Sequence, residues 1–331
     1  MDAQWRRSDQ KPRPVSMLWS MQRNPHRGHA RCLAASLVAA LAIPAAAVAQ
    51  PPSPAPTPAG PTTASVLAAA TAADWRPLDP ENTLYLDLTT GRVVIELAPA
   101  FAPNHAANVK ALVREGYFDG LTINRVQDNY VVQWGDAREP PARKPIRTAK
   151  ATLPGEFDHA IDPDLPFTPA PDGDVYAAEA GWSMGFPAAR DPRSGRTWLP
   201  YCYGVLGAAR GSAVDSGGGA QLFVIIGHSP RHLDRNYTAF GRVVKGIELL
   251  STLPRGSGGL GFYEEPAQRV PIQRVRVAKD LPEAERTPLQ VLRTDTDTFR
   301  SLVAARRTRT EPGFQYPVGR IEVCNVPIPT K

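Results

Sequence analysis

Arg125 is the residue whose setting most suggests chemistry. It is the one basic residue in Ile123–Asp136, INRVQDNYVVQWGD, where Ile123, Val126, Val131 and Val132 have the β-branching of strands and Gln127-Asp128-Asn129 suits a turn. A guanidinium at a strand end, with Tyr130, Val131 and Gln133 close behind it, would present a fixed cation beside a small apolar surface. Taken alone, the pattern fits a surface arginine on a hairpin better.

Other stretches imitate chemical motifs less closely. Gly181-Trp182-Ser183-Met184-Gly185 matches G-x-S-x-G, but a nucleophile elbow needs a buried strand before it and a helix after it. Acidic, Ala-rich residues precede this match and Pro187 follows, so an accidental match is expected. Arg210–Ala220 and Gly256–Gly261 are glycine-rich, yet the first has no lysine and the second opens no helix, so both are expected to be loops and not phosphate cradles. No cofactor or metal site is expected.

The chain has 331 residues, is 42% hydrophobic and carries a formal charge of +6. Residues 1–49 hold Arg6, Arg7, Lys11, Arg13, Arg23, Arg27 and Arg31 against Asp2 and Asp9, so that segment is +5 and the remainder +1. The basic excess belongs to the leader, which removes the argument for a nucleic-acid partner. Residues 1–49 have the form of an export signal: a basic region ending at Arg31, an apolar run Leu33–Ile43, and Ala47-Val48-Ala49 before Gln50. Cleavage after Ala49 and a periplasmic or secreted product, with no membrane anchor afterwards, are expected; Met17 or Met21 is an alternative start. Cys32 leaves with the signal. Cys202 and Cys324 then share an oxidising compartment, where a disulfide tying the tail to the core would stabilise by about 4–5 kcal/mol. Two buried free thiols are the alternative.

The elements that must position Arg125 follow in order. Residues 50–80 form a Pro/Ala-rich linker, expected to be extended or disordered over Gln50–Ala73. Leu84–Leu88 and Arg92–Leu97 read as a hairpin, and Pro103–Glu115 as an amphipathic helix stopped by Gly116. Residues 137–203 lose periodicity and fill with prolines, an irregular insert. Strands are expected again over Tyr203–Ala209, Gln221–Gly227, Tyr237–Val244 and Val270–Ala278, with a short helix over Lys245–Leu253. The extension 281–331 predicts a helix over Asp297–Arg307 and a strand over Arg320–Val326.

Together these elements describe a mainly β chain in which about eight strands close into an antiparallel barrel capped by two α-helices. Residues Leu84–Ala278 resemble the cyclophilin-type peptidyl-prolyl isomerases through GRVVIEL, APNHAANVKALVREGYFDG, NRVQDNYVVQWGD, GVLGAAR, GAQLFVIIG and LDRNYTAFGRVVKGIELL. The resemblance implies a groove on the barrel face that holds a proline. Arg125 matches the catalytic arginine, and Tyr130, Val131 and Gln133 the positions that follow it. Ala209, Arg210 and Gly211 match a segment whose backbone aligns the substrate; Gln221 and Phe223 lie on the groove strand; His232, Leu233 and Tyr237 belong to the side that closes the proline pocket. The chain departs from the family's usual residues at Asn124, Tyr130, Val131, Arg210, His232 and Tyr237, and His232 in place of tryptophan implies weak cyclosporin binding. The function implied is a monomeric isomerase acting on proline-containing segments of unfolded or partly folded exported proteins. A weakly active or inactive cyclophilin-fold chaperone or binding module is the alternative.

Overall fold

The computed structural model describes residues 60–138, 141–311 and 313–331. The expected signal, its cleavage after Ala49 and the start of the linker lie outside them. In chain order, α1 (Thr63–Ala68) and β1 (Trp75–Pro77) precede the hairpin β2 (Thr83–Leu88) and β3 (Gly91–Leu97), then α2 (Pro103–Arg114), β4 (Thr122–Val126) and β5 (Val131–Gly135). The insert supplies β6 (His159–Ala160), β7 (Thr168–Pro169), β8 (Glu179–Ser183), β9 (Phe186–Asp191) and β10 (Arg196–Trp198). After it come β11 (Val205–Ala208), β12 (Gln221–Ile225), β13 (Ala239–Lys245), α3 (Ile247–Ser251), β14 (Val270–Val277), β15 (Gln290–Leu292) and α4 (Asp297–Thr308).

Eight of these strands close a barrel in the order β11-β12-β5-β4-β14-β2-β3-β13, every pair antiparallel. Alternation decides which side chains fill it. Leu84, Leu86 and Leu88 of β2 and Val93, Ile95 and Leu97 of β3 are buried in one cluster with Ile123, Trp134 and Phe240. Helix α2 adds Ala106, Val109, Leu112 and Val113 to that cluster; Pro103 opens it, where a missing N–H costs nothing, and Gly116 at φ +69° ends it.

A second cluster forms outside the barrel. Val131, Phe223 and Ile225, from the other face of β5 and β12, are buried with Trp182 and Phe186 of the insert and Phe299, Leu302 and Val303 of α4. Trp182 and Phe299 meet edge to face at 5.3 Å. Cys202 and Cys324 are bonded, their Cα atoms 5.0 Å apart, which ties the extension to the turn before β11.

Three sequence expectations are corrected, and a fourth, that the G-x-S-x-G match is accidental, agrees with the structure. The insert is not irregular throughout: β6-β10-β9-β8-β7 form a five-stranded sheet. Its strands hide because Ala180, Gly181, Ala188 and Ala189 are poor strand formers, so the usual β-branched alternation is missing. Ser183 sits in β8, buried, before a two-residue turn in which Met184 and Gly185 both have positive φ, and β9 follows where an elbow needs a helix. Within the linker, Thr63–Ala68 is helical, closed by a reciprocal Thr62–Ser65 capping box, and Val66 is buried in the second cluster. The strand expected over Arg320–Val326 is absent; the chain makes a 3-10 turn at Val323–Asn325 with Val323 and Val326 buried.

Candidate active site

Arg125 owes its direction to an irregularity in the β4–β5 ladder. The register shifts between Ile123 and Arg125, so that Arg125 faces Gln133 across the strands. Asn124, buried at the shift, donates from Nδ2 to the Gly135 carbonyl at 3.2 Å and accepts at its own carbonyl from Tyr263 N at 3.0 Å. A bulge of this kind re-aims a side chain that a regular strand would direct elsewhere.

The guanidinium is held on three sides by neutral oxygens. Nη1 donates to Gln133 Oε1 at 3.0 Å, Nε to the Leu260 carbonyl at 2.8 Å, and Nη2 to Gln127 Oε1. Its carbon lies 5.3 Å from the Phe262 ring centre and 5.7 Å from that of Tyr130. Burial lowers its pKa from the usual guanidinium value, which leaves it a cation. Because its three partners carry no charge, its positive field is directed rather than neutralised.

An amide chain fixes the neighbouring polar groups. Gln133 Nε2 donates to Gln221 Oε1 at 3.0 Å, and Gln221 Nε2 donates to the Asp136 carbonyl at 3.2 Å. Each amide thus donates on one side and accepts on the other, which sets its orientation. The Asp136 carboxylate is buried in its turn. Burial alone would raise its pKa, but Arg138 Nε at 2.8 Å and the backbone N–H groups of Lys144 and Arg138 bring it down to about 2.

The apolar wall is built on β12. Phe223 stacks on Tyr201 at 5.6 Å and meets Tyr237 edge to face at 6.1 Å. Gly207 on β11 is required beneath it, since a Cβ there would lie 2.5 Å from both the Phe223 ring and the Tyr201 hydroxyl. Arg210 reaches over the Tyr237 ring at 4.7 Å while donating through Nε and Nη2 to the Asn236 carbonyl at 3.0 and 2.8 Å, so its side chain braces this rim. Leu233 is set by the turn Arg231–Leu233, where buried Arg231 pairs with Asp174 of the insert at 2.8 Å and Asp234 at 2.6 Å.

These groups surround one cavity of about 540 Å³. Eleven of the residues expected at the site line it: Arg125, Tyr130, Val131, Gln133, Ala209, Arg210, Gly211, Gln221, Phe223, Leu233 and Tyr237. His232 does not. It is exposed on the turn and lies stacked beside Tyr130 at 6.2 Å, outside the cavity lining. The sequence reading missed Leu260 and Phe262, which line the cavity from a loop read only as glycine-rich, and Gln127, assigned to a turn. The available signal was two large apolar residues, Leu260 and Phe262, in a glycine-rich loop with no strand or helix to bury them.

Residues 84–277 match the family model for cyclophilin-type peptidyl-prolyl cis-trans isomerases. The chain is 30% identical over 179 residues to a probable peptidyl-prolyl cis-trans isomerase of Brucella suis, covering 54% of this chain and 74% of that protein. It is 26% identical over 219 residues to the human peptidyl-prolyl cis-trans isomerase-like 1, covering 65% and 99%. The crystal structure of cyclophilin AquaCyp293 from Hirschia baltica is similar with a TM-score of 0.63 at 28% identity, covering 82% of this chain and 98% of that one. That likeness spans more of the chain than the family match, and so takes in segments beyond residues 84–277.

Proposed function

The chain belongs to the cyclophilin-type peptidyl-prolyl cis-trans isomerases and is an enzyme of that class; from this we propose that it turns X-Pro bonds in unfolded or partly folded exported proteins, as a monomer, with Arg125 polarising the amide. The observation that carries the reading is the Arg125 guanidinium, held by three neutral oxygens at the edge of an apolar cavity.

Rotation about an X-Pro bond faces a barrier of about 18–20 kcal/mol because the nitrogen lone pair is shared with the carbonyl. In the twisted state that sharing is lost and the nitrogen becomes a better acceptor. A guanidinium N–H aimed at the prolyl nitrogen interacts more strongly with the twisted amide than with the planar one, which lowers the barrier without a covalent step. Phe223, Leu233 and Val131 hold the ring while the acyl side turns, and the Gln133–Gln221 pair keeps the cation from swinging away.

Residues 1–49 support export, and the Cys202–Cys324 bond fits an oxidising compartment. A second reading, a cyclophilin-fold chaperone or binding module, draws on the sheet of the insert and the α4 layer, which give the barrel an added surface. A protease-coupled proline-peptide assay on the protein begun at Gln50, beside Arg125→Ala, separates the two. Loss of one preorganised donor is expected to lower kcat/KM by about 100-fold or more, and equal rates for both proteins would favour the binding module.

A further inference from the structure

Away from the catalytic cavity, the end of α4 and the segment after it enclose a recess of about 300 Å³ whose rim is cationic. Arg306, Arg307, Arg309 and Arg320 line it. Arg307 is held by Asp172 at 2.8 Å, and that carboxylate also accepts from Ile321 N at 2.8 Å. Glu311 accepts from Thr63 N at 3.3 Å, and Glu322 faces Arg231 instead. Glu311 also attracts Arg306 and Arg309, and Asp172 attracts Arg320 as well as Arg307, so four guanidiniums share two carboxylates and positive charge remains in excess. Burial, and then repulsion from Arg309, depress the Arg306 guanidinium, and Glu311 offsets this only in part.

The negative end of α4 accounts for arginines in its last turn, Arg306 and Arg307. It does not account for Arg320, nor for what lies between. Phe314, Tyr316 and Val318, at every second position, are 50%, 92% and 80% exposed, three large apolar side chains presented to water beside the arginines. Gly60 lies against this face, its carbonyl accepting from Thr310 Oγ1 at 3.1 Å.

We propose that this face docks on the surface of an anionic phospholipid bilayer, with a headgroup phosphate between Arg306, Arg309 and Arg320 and with Phe314, Tyr316 and Val318 entering the interfacial layer. Guanidinium forks suit phosphate oxygens, and aromatic side chains favour the headgroup level of a bilayer. Shape argues for lipid over a folded partner. Tyr316 and Val318 project almost fully, and a bilayer yields around projecting side chains, whereas a folded protein has to offer matching hollows.

The test is co-sedimentation of the protein begun at Gln50, which retains every described element, with phosphatidylglycerol/phosphatidylcholine vesicles and with phosphatidylcholine vesicles alone. Binding to the anionic vesicles is expected, weakened on the order of tenfold or more by Arg309→Glu with Arg320→Glu, and similarly by Tyr316→Ser with Val318→Ser. Proline-peptide turnover unchanged in both variants shows that they fold. Equal binding to the two vesicle types, or variants that bind as the parent does, would overturn the proposal. So would tight binding of a polyglutamate peptide, lost in the charge-reversed variant, by a protein that ignores vesicles; the partner would then be an acidic protein segment.

Discussion

At the scale of single residues, the site separates what charge does from what direction does. Arg125 meets Gln127, Gln133 and the Leu260 carbonyl, three acceptors that fix a planar fork but neutralise nothing. Arg125 and Gln133 stood out by residue type on a strand, and their roles and that of Phe223 followed from the resemblance to the cyclophilin family. His232 was not, because whether a residue of a short turn points into a groove depends on the turn, and this ring stacks outside it against Tyr130. Weak cyclosporin inhibition is expected in consequence. His232→Trp, which adds aromatic area beside Tyr130, should tighten the inhibition constant by up to about tenfold; an already tight constant in the parent protein would show that the outer ring does not matter.

At the scale of elements, the joint between β5 and the insert depends on Asp136. Its folded pKa of about 2 lies below that of an ordinary carboxylate, so its contribution is fully present above about pH 4 and is lost as the pH falls towards 2. On that basis Asp136→Asn should cost about 2 kcal/mol near neutrality, and the gap between parent and variant should close by about pH 2. Urea unfolding midpoints across that range measure it, and a gap independent of pH would assign the loss to packing. The disulfide acts on a larger element. With Cys202 and Cys324 122 residues apart in sequence, Cys202→Ala with Cys324→Ala should lower stability by about 4–5 kcal/mol, read as an earlier denaturant midpoint without reductant.

At the scale of the whole molecule, the barrel holds the groove residues on its outside, and a second layer completes their support. Val131 and Phe223 line the cavity, yet they are buried in the cluster that contains Trp182 of the insert and Phe299 of α4. Arg231 adds a polar tie, since its pair with Asp174 links the insert to the turn bearing Leu233. Phe299→Ala, far along the chain from Arg125, should therefore cost about 3–5 kcal/mol of stability and also lower proline-peptide turnover. Thermal unfolding and the peptide assay on the same preparation test both. Full activity below the melting transition would mean that the barrel holds the groove without the outer layer.

The amino-acid sequence by itself determined the barrel, α2 and the helix of the extension, while its resemblance to the cyclophilin family supplied most groove residues. Those elements repeat a periodicity of two or 3.6 over enough residues to commit the local backbone, and their apolar faces leave one arrangement that buries them. Tertiary structure alone decided the rest. In β8 and β9 small residues with little strand preference sit beside Trp182 and Phe186, and the strands exist because those two rings pack in one cluster with α4. Leu260 and Phe262 reach Arg125 only because a loop distant in sequence folds back over β4. Contacts between segments that carry no local periodicity have no signature in either segment, and become visible only when the chain brings them together.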